Sequence, residues 1–124
     1  MIALEPKSAA RAAIGVAAVR PATALLFDSP DMRLIVFRLK PGTAVPVHTS
    51  ESSVMLTVLE GEGIIRSDRE ERVSRAGDVV CFAPREPHGM NAVNDEFHLL
   101  ATITPRPGER HAVSPPKTAQ QGAV

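Results

Sequence analysis

The sequence predicts a single all-β domain that forms a barrel or a sandwich of short strands. Short apolar runs in the middle of the chain are separated about every 8 to 12 residues by Gly, Pro, Asp and Asn, which is the spacing of such folds. No long helical period of apolar residues interrupts this pattern. A chain of 124 residues can bury one core but is too short for two independent ones.

Nine segments in this middle part have the apolar and β-branched composition of strands. Each is bounded by turn-forming residues and is therefore predicted to be a separate short strand. The segments are residues 22–27, 32–39, 44–50, 54–60, 64–66, 72–75, 79–83, 88–93 and 97–104.

Turn formers separate the first five segments. Residues 28–31, with the sequence Asp-Ser-Pro-Asp, join the first two segments into a hairpin. A Pro-Gly turn at residues 41–42 precedes the third segment, and the fourth is apolar and β-branched enough for a core strand. The Gly-Glu-Gly sequence at residues 61–63 closes a second hairpin.

The later segments are separated in the same way. Residues 67–70 form a polar turn, and residues 76–78 form a tight turn with the sequence Ala-Gly-Asp. Pro84 and Pro87 bracket a stiff loop, and the Asn-Asp pair at residues 94–95 turns the chain into the last segment.

The two ends of the chain differ from the middle. Residues 1–21 are rich in Ala and include an apolar stretch, which predicts a short helix, an added edge strand or an arm on a partner subunit. We do not expect this stretch to be a signal peptide, since Glu5 stands where a positive region belongs and Gly15 breaks the apolar run. Residues 106–124 hold three prolines and few large apolar side chains, and we expect this tail to be mobile.

The composition limits the partners of the protein. Lys plus Arg equals Asp plus Glu at 14 each, so no net charge attracts nucleic acid or a membrane surface. Four Phe and no Trp or Tyr leave few platforms for stacking bases. Cys81 is the single cysteine, which fits a reducing cytoplasm. Because it lies in an apolar run, it is predicted to be an inert buried thiol. We therefore expect a cytoplasmic protein whose partner is a small molecule, with no nucleic-acid and no membrane partner.

Two spaced motifs indicate a specific family. The first runs from Gly42 through His48 to Gly61, and the second runs from Gly77 to His88. Both combine a glycine turn, an apolar strand and a histidine at a fixed distance from the glycine. In this order and separation they resemble the two motifs of the cupin family, whose members are small double-stranded β-helix barrels.

The resemblance implies a single cupin-type jelly-roll barrel over residues 22–105, and a homodimer. In metal-dependent cupins three histidines and a glutamate bind a divalent ion. Here Ser50 and Val54 stand at two of those four positions, so only His48 and His88 carry over as metal ligands. Two neutral imidazoles are too few for the usual metal sites, so tight metal binding is not expected, and a divalent metal stays a weakly supported cofactor.

Glu51 is the obvious replacement ligand, but a regular strand turns it away from the face that carries His48. The sequence instead predicts a mainly apolar pocket with a few hydrogen-bonding groups. Its predicted ligand-binding residues are His48, Ser50, Val54, Leu56, His88 and Met90. Such a pocket suits a small acid, a ketone or a hydroxylated ring.

Three functions remain open at this point. The first is a cupin that binds a small organic molecule with little or no catalysis. The second is an enzyme, either a metal-dependent isomerase, cyclase or dioxygenase-like protein using His48 and His88, or a metal-free one with histidine as general base. The third is a regulatory module that acts through a partner. His98 has no motif support, and we expect it to serve packing or to lie on the surface.

Overall fold

The computed structural model describes residues 1–15 and 20–108. Most of the predicted C-terminal tail, residues 109–124, lies outside the described residues, as do residues 16–19 of the N-terminal segment. The elements in chain order are α1 (Pro6–Ala12), β1 (Ala22–Ser29), β2 (Met32–Leu39), β3 (Ala44–His48), β4 (Ser53–Glu60), β5 (Glu62–Arg66), β6 (Glu71–Arg75), β7 (Val79–Phe82), β8 (His88–Ala92) and β9 (Phe97–Thr104).

The all-β prediction is confirmed, and each predicted segment coincides with one strand. One difference near the predicted site is in β3, which ends at His48 rather than at residue 50. The chain turns there because the Ser50 hydroxyl accepts a hydrogen bond from the backbone N–H of Ser52 at 3.2 Å. Such short side-chain bonds to nearby backbone compete with strand pairing.

The strands form two antiparallel sheets. The large sheet has the order β1-β2-β9-β4-β7, and the small sheet has the order β3-β8-β5-β6. Neighbours such as β2 and β9, or β3 and β8, are distant in sequence, so the chain crosses repeatedly between the two sheets. This is the connectivity of a jelly roll.

The hydrophobic core lies between the sheets. Along β9, every second residue is fully buried, which is the alternation expected of a strand with one face inward. The same alternation in β4 buries Val54, Leu56 and Val58. These side chains belong to one cluster with Met90 and Ile65 from the small sheet. The core therefore joins the two sheets into one packed unit.

Gly61 forms the turn between β4 and β5 with a φ of +80°. A side chain there would also collide with the backbone carbonyl of Glu96, in the turn between β8 and β9. Glycine is therefore required at position 61 for two reasons: the positive φ of the turn, and the close approach of the turn between β8 and β9.

The N-terminal segment supplies the helix α1, one of the three alternatives left by the sequence. It lies on the outer face of the large sheet and contacts β1, β2, β4 and β9, with Ala10 completely buried. The guanidinium of Arg11 donates to both carboxylate oxygens of Glu60, at 2.6 and 2.7 Å. The described part of the arm therefore packs on its own sheet, and its exchange with a partner stays a prediction.

The prediction of a buried Cys81 is wrong, because this thiol is exposed. β7 is the edge strand of the large sheet, and alternation turns Cys81 outward, opposite the partly exposed Met55 on β4. An apolar run on an edge strand therefore does not imply burial of both faces. Among the described residues, no helix has the length and apolar character needed to cross a membrane.

Candidate functional site

The pairing of β3 with β8 places His48 directly opposite His88. The centroids of the two imidazole rings are 4.4 Å apart, and the ring planes are tilted by 57°. These two residues are called the histidine pair below. They come from the two separate sequence motifs, so the predicted convergence of the motifs is observed.

A β-bulge in β3 decides this arrangement. Val45 pairs with Met90, and continuing that register would place Val47 opposite His88. The register instead shifts by one residue, so His48 takes that place. Pro46, which has no backbone N–H, lies within the shifted stretch, and bulges are among the few places in sheets where proline occurs.

Gly89 on β8 makes room for the bulge. A Cβ at this position would lie 2.8 Å from the carbonyl oxygen of Val45 and 2.9 Å from the backbone nitrogen of Val47. Both contacts are with backbone atoms, which cannot move without changing the pairing of the strands. A glycine directly after His88 is therefore part of what positions the histidine pair.

Each imidazole of the pair is held by its Nδ1 atom. Nδ1 of His48 lies 2.8 Å from the carbonyl oxygen of Pro46, and Nδ1 of His88 lies 3.0 Å from that of Glu86. A carbonyl oxygen only accepts, so both Nδ1 atoms carry the hydrogen and donate. In the neutral ring this leaves Nε2 as a hydrogen-bond acceptor.

Both Nε2 atoms are buried and have no hydrogen-bond partner among the described residues. His88 is 1% exposed, and its ring packs on that of Phe82 with centroids 5.1 Å apart. Burial lowers the pKa of His88 from its ordinary value of 6.5, against the opposing hydrogen bond to Glu86, and the neighbouring His48 lowers it further. His88 is therefore neutral at pH 7.

Apolar side chains from both sheets surround the same interior. Val54 and Leu56 belong to the inner face of the large sheet, and Met90 to the small sheet beside His88. All three are at most 2% exposed. The structure thus places these three predicted residues, with His88, between the sheets, where the dielectric is low and polar contacts are strong.

Ser50, the remaining predicted residue, lies past the end of β3. Its hydroxyl is engaged locally, accepting from the N–H of Ser52 at 3.2 Å and donating to the Ser52 carbonyl at 3.3 Å. The expected shared face with His48 requires a strand that continues to residue 50, and the strand does not. A role for Ser50 in ligand binding stays a prediction.

The loops beside the pair hold contacts that the sequence did not reveal. The backbone N–H of Arg85 donates to the carbonyl of Ser50 at 2.7 Å, and its Nε lies 3.4 Å from a carboxylate oxygen of Glu51. Arg85 has a φ of +68°, an uncommon conformation for a residue other than glycine. Glu51 is mostly exposed and lies against Arg85.

Phe82 is a second residue that sequence reasoning left out of the site. Its ring contacts His88 from the large sheet, where alternation along β7 turns Phe82 inward and Cys81 outward. The signal was present in the sequence, because Phe82 is two residues from Val80 on the same face of a predicted strand.

The histidine pair does not make a complete metal site. Nδ1 bonded to a carbonyl with Nε2 free is the arrangement of metal-binding histidines. However, no group of three or more His, Cys, Asp or Glu side chains suited to a metal ion occurs in residues 1–15 and 20–108. Structural and catalytic sites normally use at least three protein ligands, so this donor set does not fit a resident divalent metal.

The fold and the paired histidines define the class of the protein, a small jelly-roll barrel of the cupin type. The sequence pattern described as "Cupin domain" matches residues 35–103, which is more than half of the chain, and the protein belongs to the cupin family. No curated protein sequence matches the chain.

Solved structures agree with this assignment. An RmlC-like cupin protein from Desulfovibrio desulfuricans is 31% identical, with a TM-score of 0.68 over 76% of this chain and 91% of that one. The TT1209 protein from Thermus thermophilus is 32% identical, with a TM-score of 0.67 over 71% and 86% of the two chains. A predicted oxalate decarboxylase from Thermotoga maritima is 23% identical, with a TM-score of 0.64 over 68% and 79%, and shows likeness of fold alone.

Proposed function

We propose that the protein binds a small organic molecule inside its barrel, with His48 and His88 as the polar anchors. The observation that carries the proposal is the pair of buried Nε2 atoms, neither of which has a hydrogen-bond partner in the described part of the chain. Leaving a buried acceptor unsatisfied costs about 1–3 kcal/mol, and native proteins rarely retain such groups without a reason. A ligand that hydrogen-bonds to both atoms would remove this cost.

Preorganisation supports the same proposal. The rings are fixed before any ligand arrives. They are held by the bulge around Pro46, by the close approach of the β3 backbone to Gly89, and by the two Nδ1 hydrogen bonds. Val54 and Met90, on the inner faces of the two sheets, are apolar and buried. Apolar walls with a few convergent polar groups are typical of small-molecule sites.

Thermal denaturation with a library of small acids, ketones and hydroxylated rings tests the proposal. A ligand at a hundred times its Kd stabilises the fold by about 2.7 kcal/mol, which corresponds to a shift of several degrees in Tm. We expect at least one compound to raise Tm in the wild type but not in His48→Phe. The proposal fails if no compound class raises Tm.

A second candidate function is metal-free proton transfer. It is favoured by one observation, the neutral His88 whose Nε2 lone pair is available as a general base at pH 7. Exchange of a carbon-bound hydrogen of the bound ligand with deuterated solvent, followed by NMR, measures this activity. Loss of exchange in His88→Phe with ligand binding retained supports catalysis, and equal exchange in both proteins contradicts it.

A further inference from the structure

The histidine pair presents two acceptors and no donor to a ligand. Both Nδ1 hydrogens are already donated, to the carbonyls of Pro46 and Glu86, so only the Nε2 lone pairs are left. We infer that the site takes a neutral compound with two adjacent hydroxyl groups, a vicinal diol. This inference rests on the proposed function and narrows the three ligand chemistries that suit the sequence to one.

The polarity of the site decides between donors and acceptors. A ketone or carboxylate oxygen has no hydrogen and would set its lone pairs against those of Nε2. A hydroxyl group donates its hydrogen to Nε2 and satisfies the buried atom. The site therefore discriminates against acids and ketones by leaving its own acceptors unpaired.

The distance between the rings decides the number of donors. The centroids of His48 and His88 are 4.4 Å apart, so the rings are in contact and one compact group of a ligand meets both. A single hydroxyl has one hydrogen and satisfies one Nε2 atom. Two hydroxyls on adjacent carbons satisfy both.

The surroundings decide the charge of the ligand. The charged side chains nearest to the pair in sequence are exposed and already have partners. Glu51 pairs with Arg85, and the carboxylate of Glu86 accepts the backbone N–H of Ala83 at 2.9 Å. A buried ammonium or carboxylate needs an opposite charge to offset its desolvation. A neutral diol needs none, so it is favoured over an acid, which the Glu86 carboxylate acting on His88 would also disfavour.

Four compounds built on the same six-carbon ring test this inference: cis-1,2-cyclohexanediol, cyclohexanol, cyclohexanone and cyclohexanecarboxylate. Their dissociation constants are measured at pH 7.5 by NMR titration of the full chain in the presence of a chelator. We expect the diol to bind about tenfold more tightly than cyclohexanol, since one more buried acceptor is satisfied. The ketone and the carboxylate are expected to bind more weakly than cyclohexanol.

Proton-detected nitrogen spectra of the histidines give a second readout on the wild-type protein. With the diol, the Nε2 resonances of both His48 and His88 are expected to shift together, while the Nδ1 resonances stay nearly constant. A shift of only one Nε2 resonance overturns the two-donor inference. This measurement does not depend on whether a variant folds.

The variant His48→Phe keeps a ring at the partly exposed position and removes one acceptor. It is expected to bind the diol no better than cyclohexanol, losing the tenfold preference. The matched control is His98→Gln on the other side of the large sheet, whose amide still donates to Glu96, and which is expected to keep the preference.

The failures are distinguishable. Preference for the ketone or the carboxylate overturns the diol inference and leaves small-molecule binding intact. The diol inference is also overturned, with small-molecule binding intact, if none of the four compounds binds while the wider library yields a ligand whose binding requires His48. If neither the four compounds nor the library binds, both the inference and the proposed function are overturned.

Discussion

The histidine pair inside the barrel and His98 on the outer face of the large sheet differ in the groups that surround their ring nitrogens. Inside the barrel, the Nε2 atoms of His48 and His88 have no hydrogen-bond partner within residues 1–15 and 20–108. On the outer face, Nε2 of His98 lies 2.8 Å from a carboxylate oxygen of Glu96, and its Nδ1 lies 3.7 Å from one of Glu60. His88 and His98 are both buried, at 1% and 6% exposure, so burial alone does not separate them.

The surroundings of His98 form a continuous charged network. Glu96 is bound by the guanidinium of Arg38 at 2.9 and 3.2 Å, and this arrangement lowers its pKa from 4.5 to about 2. Another nitrogen of Arg38 donates to the carbonyls of Arg11 and Ala13 at the end of α1. His98 therefore helps to attach α1 to the sheet.

Each of the three histidines has one ring nitrogen with a hydrogen bond and one buried nitrogen without one among the described residues, so what differs is the group that the second nitrogen faces. Nδ1 of His98 is buried and has no hydrogen bond to the described residues, but it lies 3.7 Å from a carboxylate oxygen of Glu60. In the inner pair, the ring of His88 packs on that of Phe82, and no carboxylate is bonded to either ring within the described residues. The outer arrangement is that of a structural histidine, and ligand binding by the inner pair stays a proposal.

The largest expected effect is that of Gly89→Ala, which removes the geometry of the inner pair. The added Cβ meets the backbone of Val45 and Val47, so the bulge must shift. We expect a loss of about 3 kcal/mol in the free energy of unfolding, from overpacking against backbone. Urea denaturation measures it. A loss as small as that of an exposed control, Val73→Ala on β6, would show that the bulge is not held by this contact.

The matched substitutions His98→Leu and His88→Leu compare the two groups directly. His98→Leu removes a hydrogen bond to a carboxylate and is expected to cost about 2 kcal/mol. Each substitution also removes one buried ring nitrogen that has no hydrogen bond to the described residues. His88→Leu loses only a bond to a neutral carbonyl, so its cost is expected to stay below about 1 kcal/mol. Equal costs in urea denaturation would contradict the distinction.

The charged network around His98 predicts that the free energy of unfolding decreases in acid. The pKa of Glu96 is about 2 in the fold, below its ordinary 4.5, so the unfolded chain binds the proton more readily. The contribution of Glu96 is present above pH 4.5 and is lost as the pH falls towards 2. Since the side chain is 39% exposed, screening limits it to about 1 kcal/mol or less. The variant Glu96→Gln is expected to lack this pH dependence.

The inner pair predicts a different pH window. Burial lowers the pKa of His88 below 6.5, so at pH values just under 6.5 the unfolded chain binds more protons than the folded one. Stability is therefore expected to fall as the pH drops below 6.5 and to recover as it rises. Denaturation midpoints between about pH 5 and 8 measure this, and an unchanged slope in His88→Leu would assign the effect to another group.

The smallest expected effect is that of Arg11→Ala on the attachment of α1. The ion pair with Glu60 is solvent-exposed, so salt screens it. Hydrogen exchange of the α1 amides is expected to be faster in the variant at low salt and to match the wild type at high salt. A difference that persists at high salt would indicate that Arg11 acts through packing instead.

Much of the site was predictable because its parts are local in sequence. The resemblance of the two motifs to those of cupins implied that His48 and His88 converge, and strand alternation turned Val54, Leu56 and Met90 inward. Ser50 was assigned by extending the same alternation past the point where the strand ends. At that point the Ser50 hydroxyl makes two local hydrogen bonds with the backbone of Ser52, which compete with strand pairing.

The sequence by itself determined the approximate positions of the strands along the chain and the two motifs, because turn formers and alternating apolar residues act over a few positions. Only the tertiary structure decided three further features. It set the one-residue bulge that brings His48 opposite His88, the partners of His98, and the packing of α1 on the large sheet. These depend on contacts between residues far apart in the chain, where a shift of one residue changes which side chains meet.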